Sequence, residues 1–151
     1  MIDFHCHMDL YNNPMNIFRE ANIRGTTVLA VTTSPRAYRA TREHFQNSDN
    51  VMVALGFHPE LVAARINESN LFFDELKRCK FIGEIGIVGA ERFRNSYTVQ
   101  KELFRTIIKE SEEQGGRILS IHSRKAESDV LGILDENMRK SKAVLHWFNG
   151  T

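Results

Sequence analysis

The sequence predicts an α/β fold, a TIM-type (β/α) barrel carried through about six strands. Three observations lead there. Short β-rich runs alternate strictly with longer helical patterns. Several of those runs are almost continuously apolar, as in parallel strands covered on both faces. Proline also stands where helices would begin, at Pro14, Pro35 and Pro59, the helical position that best tolerates its missing N–H. Strict alternation leaves two architectures, an open doubly wound sheet or a barrel. No GxGxxG or P-loop pattern follows the first strand, which counts against a nucleotide-binding sheet.

The elements follow in order. Strand Met1–His5 leads to a helix at Pro14–Ile23, and strand Thr26–Thr32 to a helix at Pro35–Gln46. Strand Val51–Phe57 precedes one long helix, Pro59–Cys79. After strand Phe81–Ile87 comes the clearest helix, Thr98–Gln114. In it Val99, Leu103, Phe104, Ile107 and Ile108 recur at helical spacing, while Lys101, Glu102, Arg105, Lys109 and Glu112 fill the opposite face. Ser96 or Thr98 can cap its start, and Gly115-Gly116 ends it. Strand Arg117–His122, helix Ala126–Lys140 and strand Ala143–Trp147 complete the series.

Composition narrows the function. Of 151 residues 42% are hydrophobic and 26% charged, which fits one folded domain and excludes a disordered or fibrous chain. Lys plus Arg is 20 against 19 Asp plus Glu, so the net charge of +1 exerts no global pull on nucleic acid. Any polyanion contact must come from a local charge cluster or a bound metal. The opening MIDFHCHMDL has neither the basic region nor the apolar run of a signal peptide. No stretch approaches the roughly 18 apolar residues of a membrane span, so a cytoplasmic protein is expected. Cys6 and Cys79 lie far apart and are expected to be reduced thiols.

The chemistry lies in the histidines. His5 and His7 end the first strand, His58 follows the third, His122 ends the fifth and His146 lies in the sixth, while Glu84 sits in the fourth within Gly83-Glu84-Ile85-Gly86. Strand ends on one face of an α/β barrel converge on a single site. Five imidazoles and a carboxylate meeting there make a divalent metal site, expected to hold two ions. Alternation along a strand lets His5 and His7 reach one ion and turns Cys6 toward the helix layer. His44 has no role in this reading. Asp9 either supports the site or caps the next loop. Arg124, two residues past His122, reaches the same mouth and can neutralise a phosphate. Arg36, Arg39 and Arg42 share one helical face, a stripe that is usually just solvated.

In their order, IDFHCHMDL, GFHPE, GEIG, IHSR and LHWFNG resemble the TatD family of metal-dependent deoxyribonucleases, within the amidohydrolase-like TIM barrels, from Ile2 to Gly150. The segments AVTTSPRAYRAT, GGRILSIHSR and LHWFNGT look like the TatD-type nuclease of Qat anti-phage defence systems. The resemblance implies that His5 and His7 hold one metal and that Glu84 bridges or orients both. It makes His122 and His146 ligands of the second and sets His58 and Arg124 against substrate phosphate. It implies hydrolysis of DNA phosphodiesters with two divalent ions, Mg²⁺ or alternatively Mn²⁺ or Zn²⁺, and defence-system proteins as partners.

Two departures stand out. The family follows GEIG with a hydrophobe and then Asp, where this chain has Ile87-Val88. The family's late-strand Asp motif would lie beyond Thr151, and a complete barrel needs about 250 residues. The expectation is therefore a chain lacking its C-terminal β/α units, with open strand edges prone to self-association and little activity alone. Two other readings compete. An amidohydrolase acting on C–N or C–O bonds would often carry a carboxylated Lys in the fourth strand, where Glu84 stands. A catalytically silent metal-binding subunit of a defence complex would tolerate Val88.

Overall fold

In the computed structural model, which describes residues 1–45 and 48–150, six parallel strands form the inner layer. Strands β1 (Ile2–Cys6), β2 (Thr27–Val31) and β3 (Val51–Ala54) pair in that order, and β4 (Phe81–Gly86), β5 (Ile118–His122) and β6 (Lys142–His146) do the same. Leu55 joins the two groups in parallel with Ile82. A doubly wound sheet reverses its strand order at a switch point. Here the order follows the chain throughout, as in a barrel wall.

Alternation sorts the side chains. Val28 and Ala30 pack in a cluster with Ala21, Met15 and Phe18 of helix α1 (Pro14–Arg24), whereas Leu29 and Val31 face the other way with Ala54. Cys6 joins the helix-side cluster, as its place between His5 and His7 predicts. The larger core unites Ile82, Ile85, Leu119 and Ile121 with Phe104, Ile107 and Ile108 of α5 (Tyr97–Glu113) and Val130, Ile133 and Leu134 of α6 (Glu127–Asn137). The inward face is thereby left to Glu84, Ser120 and His122. Earlier in β1, Ile2 and Phe4 are 63% and 45% exposed. Among the described residues no helix is long and apolar enough to cross a membrane.

Helix starts follow the sequence rules. Pro14 and Pro35 are the first residues of α1 and α2 (Pro35–His44), capped by the side chains of Asn13 and Ser34. The predicted end of the second helix at Gln46 lies outside the described residues. The long helix predicted over 59–79 is instead broken into 3-10 turns at Pro59–Leu61 and Ile66–Glu68, separating α3 (Val62–Arg65) from α4 (Ser69–Leu76). Glu68 is buried at the second turn, where Arg65 donates to it at 2.8 Å and the Arg36 N–H at 3.3 Å. Nor is the arginine stripe merely solvated, because Arg39 also pairs with Glu75 at 2.6 Å and the two salt links bind α2 to the broken segment.

At the start of α5, Ser96 occupies the cap position without capping. Its hydroxyl donates to Phe93 and accepts from Gln100 instead. The helix stops where expected, with Gly115 and Gly116 at φ 91° and 92°.

Candidate metal centre

Glu84 is aimed by a break in its own strand. β4 loses register with β5 between Ile82 and Ile85, and the intervening backbone bonds to the first group of strands. Thr32 N–H donates to Gly83 O at 3.0 Å, and Glu84 N–H returns to Thr32 O at 3.0 Å. Gly83 N–H donates to Leu55 O at 2.8 Å, and Phe57 N–H to Glu84 O at 2.9 Å. Such a bulge re-aims a side chain. Only glycine fits at position 83, since an added Cβ would lie 2.8 Å from Ser120 Cβ.

The carboxylate is 2% exposed and ringed by imidazoles. His122 Nδ1–H donates to Oε1 at 2.7 Å, and His7 Nε2–H to Oε2 at 3.0 Å. His58 Nε2 and His5 Nε2 lie 3.3 and 3.4 Å from Oε2. His58 Nδ1 accepts from Glu60 N–H at 3.2 Å, which leaves its Nε2 to carry the proton that faces Glu84. His5 Nδ1 shares a hydrogen bond with Ser120 Oγ at 2.9 Å. The ring of His146 stacks on His5 at 3.6 Å, inclined by 2°, so the ends of β1 and β6 meet at the mouth.

Burial opposes ionisation of Glu84, but the imidazoles around it, His122 first and then His5, His58 and His7, outweigh it and hold the carboxyl far below the usual carboxylate range. Burial pushes His146 down, and the neighbouring His5 adds to the effect. Burial likewise pushes Asp9 up, against the pull of His7.

The donor set fits divalent cations. His5 and His122 are each anchored through Nδ1, and each keeps a buried Nε2 with no hydrogen-bond partner. An unpaired buried polar atom is costly, and carboxylate–histidine pairs of this kind are how proteins present a ring nitrogen to a metal. Two groups have ligand atoms within 4.8 Å of one another, His5–Glu84–His146 and His58–Glu84–His122. Glu84 belongs to both. The sequence pairs His5 with His7 and His122 with His146; the geometry groups His5 with His146 and brings His58 beside His122.

A family model described as TatD related DNase matches residues 2–151. The chain belongs to the TatD family. Its curated relatives include the metal-dependent hydrolase BU355 of Buchnera aphidicola, 28% identical over 169 residues, and YcfH of Escherichia coli K12, 26% identical over 162, both themselves described as uncharacterized. These matches take in 99% and 98% of this chain but 62% and 58% of the relatives, so it spans about three fifths of their length. Among solved structures, the TatD homolog YJJV of E. coli K12 superposes with a TM-score of 0.84 at 21% identity, covering 100% of this chain and 61% of that one. An uncharacterized amidohydrolase from Saccharomyces cerevisiae gives 0.66 at 18%, covering 99% and 62%. Both show the barrel fold.

In this TatD-family chain the remaining sequence candidates fall at the rim or outside. Arg124 is exposed, its guanidinium 5.8 Å from the Trp147 ring. Val88 is buried and gives its N–H to Gln100. His44 bonds Ala40 O on the exposed side of α2. Two residues were missed by sequence reasoning. Ser120 stands two before His122 and so shares its face, a signal that alternation offered. Trp147 directly follows His146 and stacks on it at 5.5 Å and 13°.

Proposed function

We propose that this chain hydrolyses DNA phosphodiesters with two divalent cations held at the Glu84 cluster. One observation carries the reading: an ionised, buried carboxylate shared by two histidine groups, with the buried Nε2 atoms of His5 and His122 left unbonded. When bound, such cations lower the pKa of a water and neutralise charge on the phosphate under attack. The protein's own residues do the rest. Glu84 stays ionised and fixes the rings of His122 and His7 by accepting their protons in hydrogen bonds. His5 and His146 with Glu84 would hold one ion and His122 with Glu84 the other, with His58 beside it placed to give its Nε2–H to a phosphate oxygen. Arg124 presents a guanidinium at the rim, suited to a phosphate oxygen. Beside the cluster a cavity of about 350 Å³, lined by Asp3, His5, Cys6, His7, Leu10 and Tyr11, gives a substrate room.

Imidazole donors suit transition ions better than Mg²⁺, so Mn²⁺ and Zn²⁺ belong beside it in any assay. The likeness of three segments to the Qat nuclease supports a cytoplasmic role in anti-phage defence with protein partners.

The test is hydrolysis of single-stranded and duplex DNA with each ion, by this chain and by any longer product of its reading frame. Bis-p-nitrophenyl phosphate and a cyclic amide serve as controls. Cleavage of DNA that EDTA abolishes supports the reading. Turnover of the amide alone sinks it.

A further inference from the structure

A wholly buried hydroxyl faces the cluster. Ser120 is 0% exposed and lies on β5 between Leu119 and Ile121, which point the opposite way into the larger core. Alternation therefore turns it inward with His122. Gly83 makes room for it, since an added Cβ there would lie 2.8 Å from Ser120 Cβ. Burying a hydroxyl is costly unless it is bonded, and Ser120 Oγ meets His5 Nδ1 at 2.9 Å, on the other half of the wall.

The His5 ring is confined at its faces without being fixed in its orientation. His146 lies flat against it, with 3.6 Å between centroids and an inclination of 2°, and His7 approaches edge-on at 5.1 Å and 77°. Neither contact distinguishes the ring from itself after half a turn about the Cβ–Cγ bond. That turn exchanges Nδ1 with Cδ2 and Nε2 with Cε1. It would put a carbon toward Glu84 in place of the unbonded Nε2, which now stands 3.4 Å from Oε2. The bond between Nδ1 and Ser120 is what tells the two orientations apart.

We propose that Ser120 is the positioning residue of His5, the group that decides which ring atom His5 offers to a cation at the Glu84 cluster. The inference rests on the metal-dependent reading above and adds a residue to it. A hydroxyl can both give and accept a hydrogen bond. With Nε2 engaged by a cation, the ring carries its proton on Nδ1 and donates to Ser120 Oγ. With Nε2 protonated, the same hydroxyl turns and donates to Nδ1. His5 thus keeps one orientation with and without an ion. An ionised carboxylate, such as the one Glu84 sets against His122, can only accept.

Zn²⁺ is the probe, because it is diamagnetic. By isothermal titration calorimetry Ser120→Ala should weaken Zn²⁺ binding by about 10-fold or more, the usual cost of removing the partner of a ligating histidine. Ser120→Thr keeps the hydroxyl and should bind close to the parent, whereas Ser120→Val, of the same shape without it, should be as weak as Ser120→Ala. In the Zn²⁺-loaded parent the Nδ1 proton of His5 should show a nuclear Overhauser contact to the Ser120 methylene. Should a variant fail to fold beside Gly83, that spectrum still decides. Equal affinity of Ser120→Ala and the parent, or a contact from the Cδ2 proton of His5 in place of Nδ1–H, overturns the positioning role and leaves the metal reading standing. Absence of Zn²⁺ binding by the parent overturns both.

Discussion

Glu84 and His122 meet at 2.7 Å across the junction of β4 and β5, yet the other ring nitrogen of His122 is buried with nothing to bond. A hydrogen bond on one side of an imidazole fixes the tautomer offered on the other. Replacing Glu84 with Gln removes the negative charge and frees the ring. Mn²⁺ binding should weaken by about 10- to 100-fold, read by isothermal titration calorimetry. Unchanged affinity would show that the cluster holds no ion.

Gly86 sits where its neighbour leaves no room. Its φ is 135°, and a Cβ there would lie 2.1 Å from the carbonyl oxygen of His122. Gly86→Ala should therefore cost more than about 1 kcal/mol in a urea melt and displace the imidazole as well. A variant as stable as the parent would contradict the close approach.

Phe104 is 1% exposed in the larger core, beneath β4 and β5. Truncation to Ala should destabilise the fold by about 3–5 kcal/mol through lost transfer energy and the cavity left behind. Chemical denaturation measures it, and a loss under 1 kcal/mol, the scale of a surface change, would refute that packing.

Glu112 ties the turn after α6 to the end of α5. Burial opposes its charge, but bonds from Ser141 and from the backbone N–H groups of Lys140 and Arg139 prevail and lower its pKa to about 2. A depressed carboxylate stabilises above its unfolded pKa and loses that contribution as pH falls through the folded one. Glu112→Gln should thus be less stable than the parent at neutral pH. The gap should close between about pH 4.5 and pH 2. Thermal melts across that range provide the check, and a gap independent of pH would rule out the charge as its source.

Much of this was legible in the residues. Proline at helix starts, glycines at the end of α5 and apolar runs for covered strands gave the alternation, and the order of strands follows from it. The histidines and Glu84 were found because strand ends converge. What stayed hidden depends on contacts between distant segments. Buried Glu68 breaks a helix that periodicity alone reads as continuous, since its partners Arg36 and Arg65 cannot be paired from spacing. The grouping of His5 with His146 likewise arises from the meeting of the first and last strands. The exposure of Trp147 is a property of the surface, which no local pattern encodes.

Thr32 sits at the seam between the two groups of strands. Wholly buried, it exchanges backbone bonds with Gly83 and Glu84, while its hydroxyl donates to Ala54 O and accepts from Gly56 N–H. The carboxylate and His122 thus hang from one half of the wall, while His5, His7 and His58 come from the other. Sliding the halves past each other would part Glu84 from His7 before either ladder came undone. The centre works as a strain gauge for the wall, and distant damage that loosens this joint would silence it while leaving each half intact.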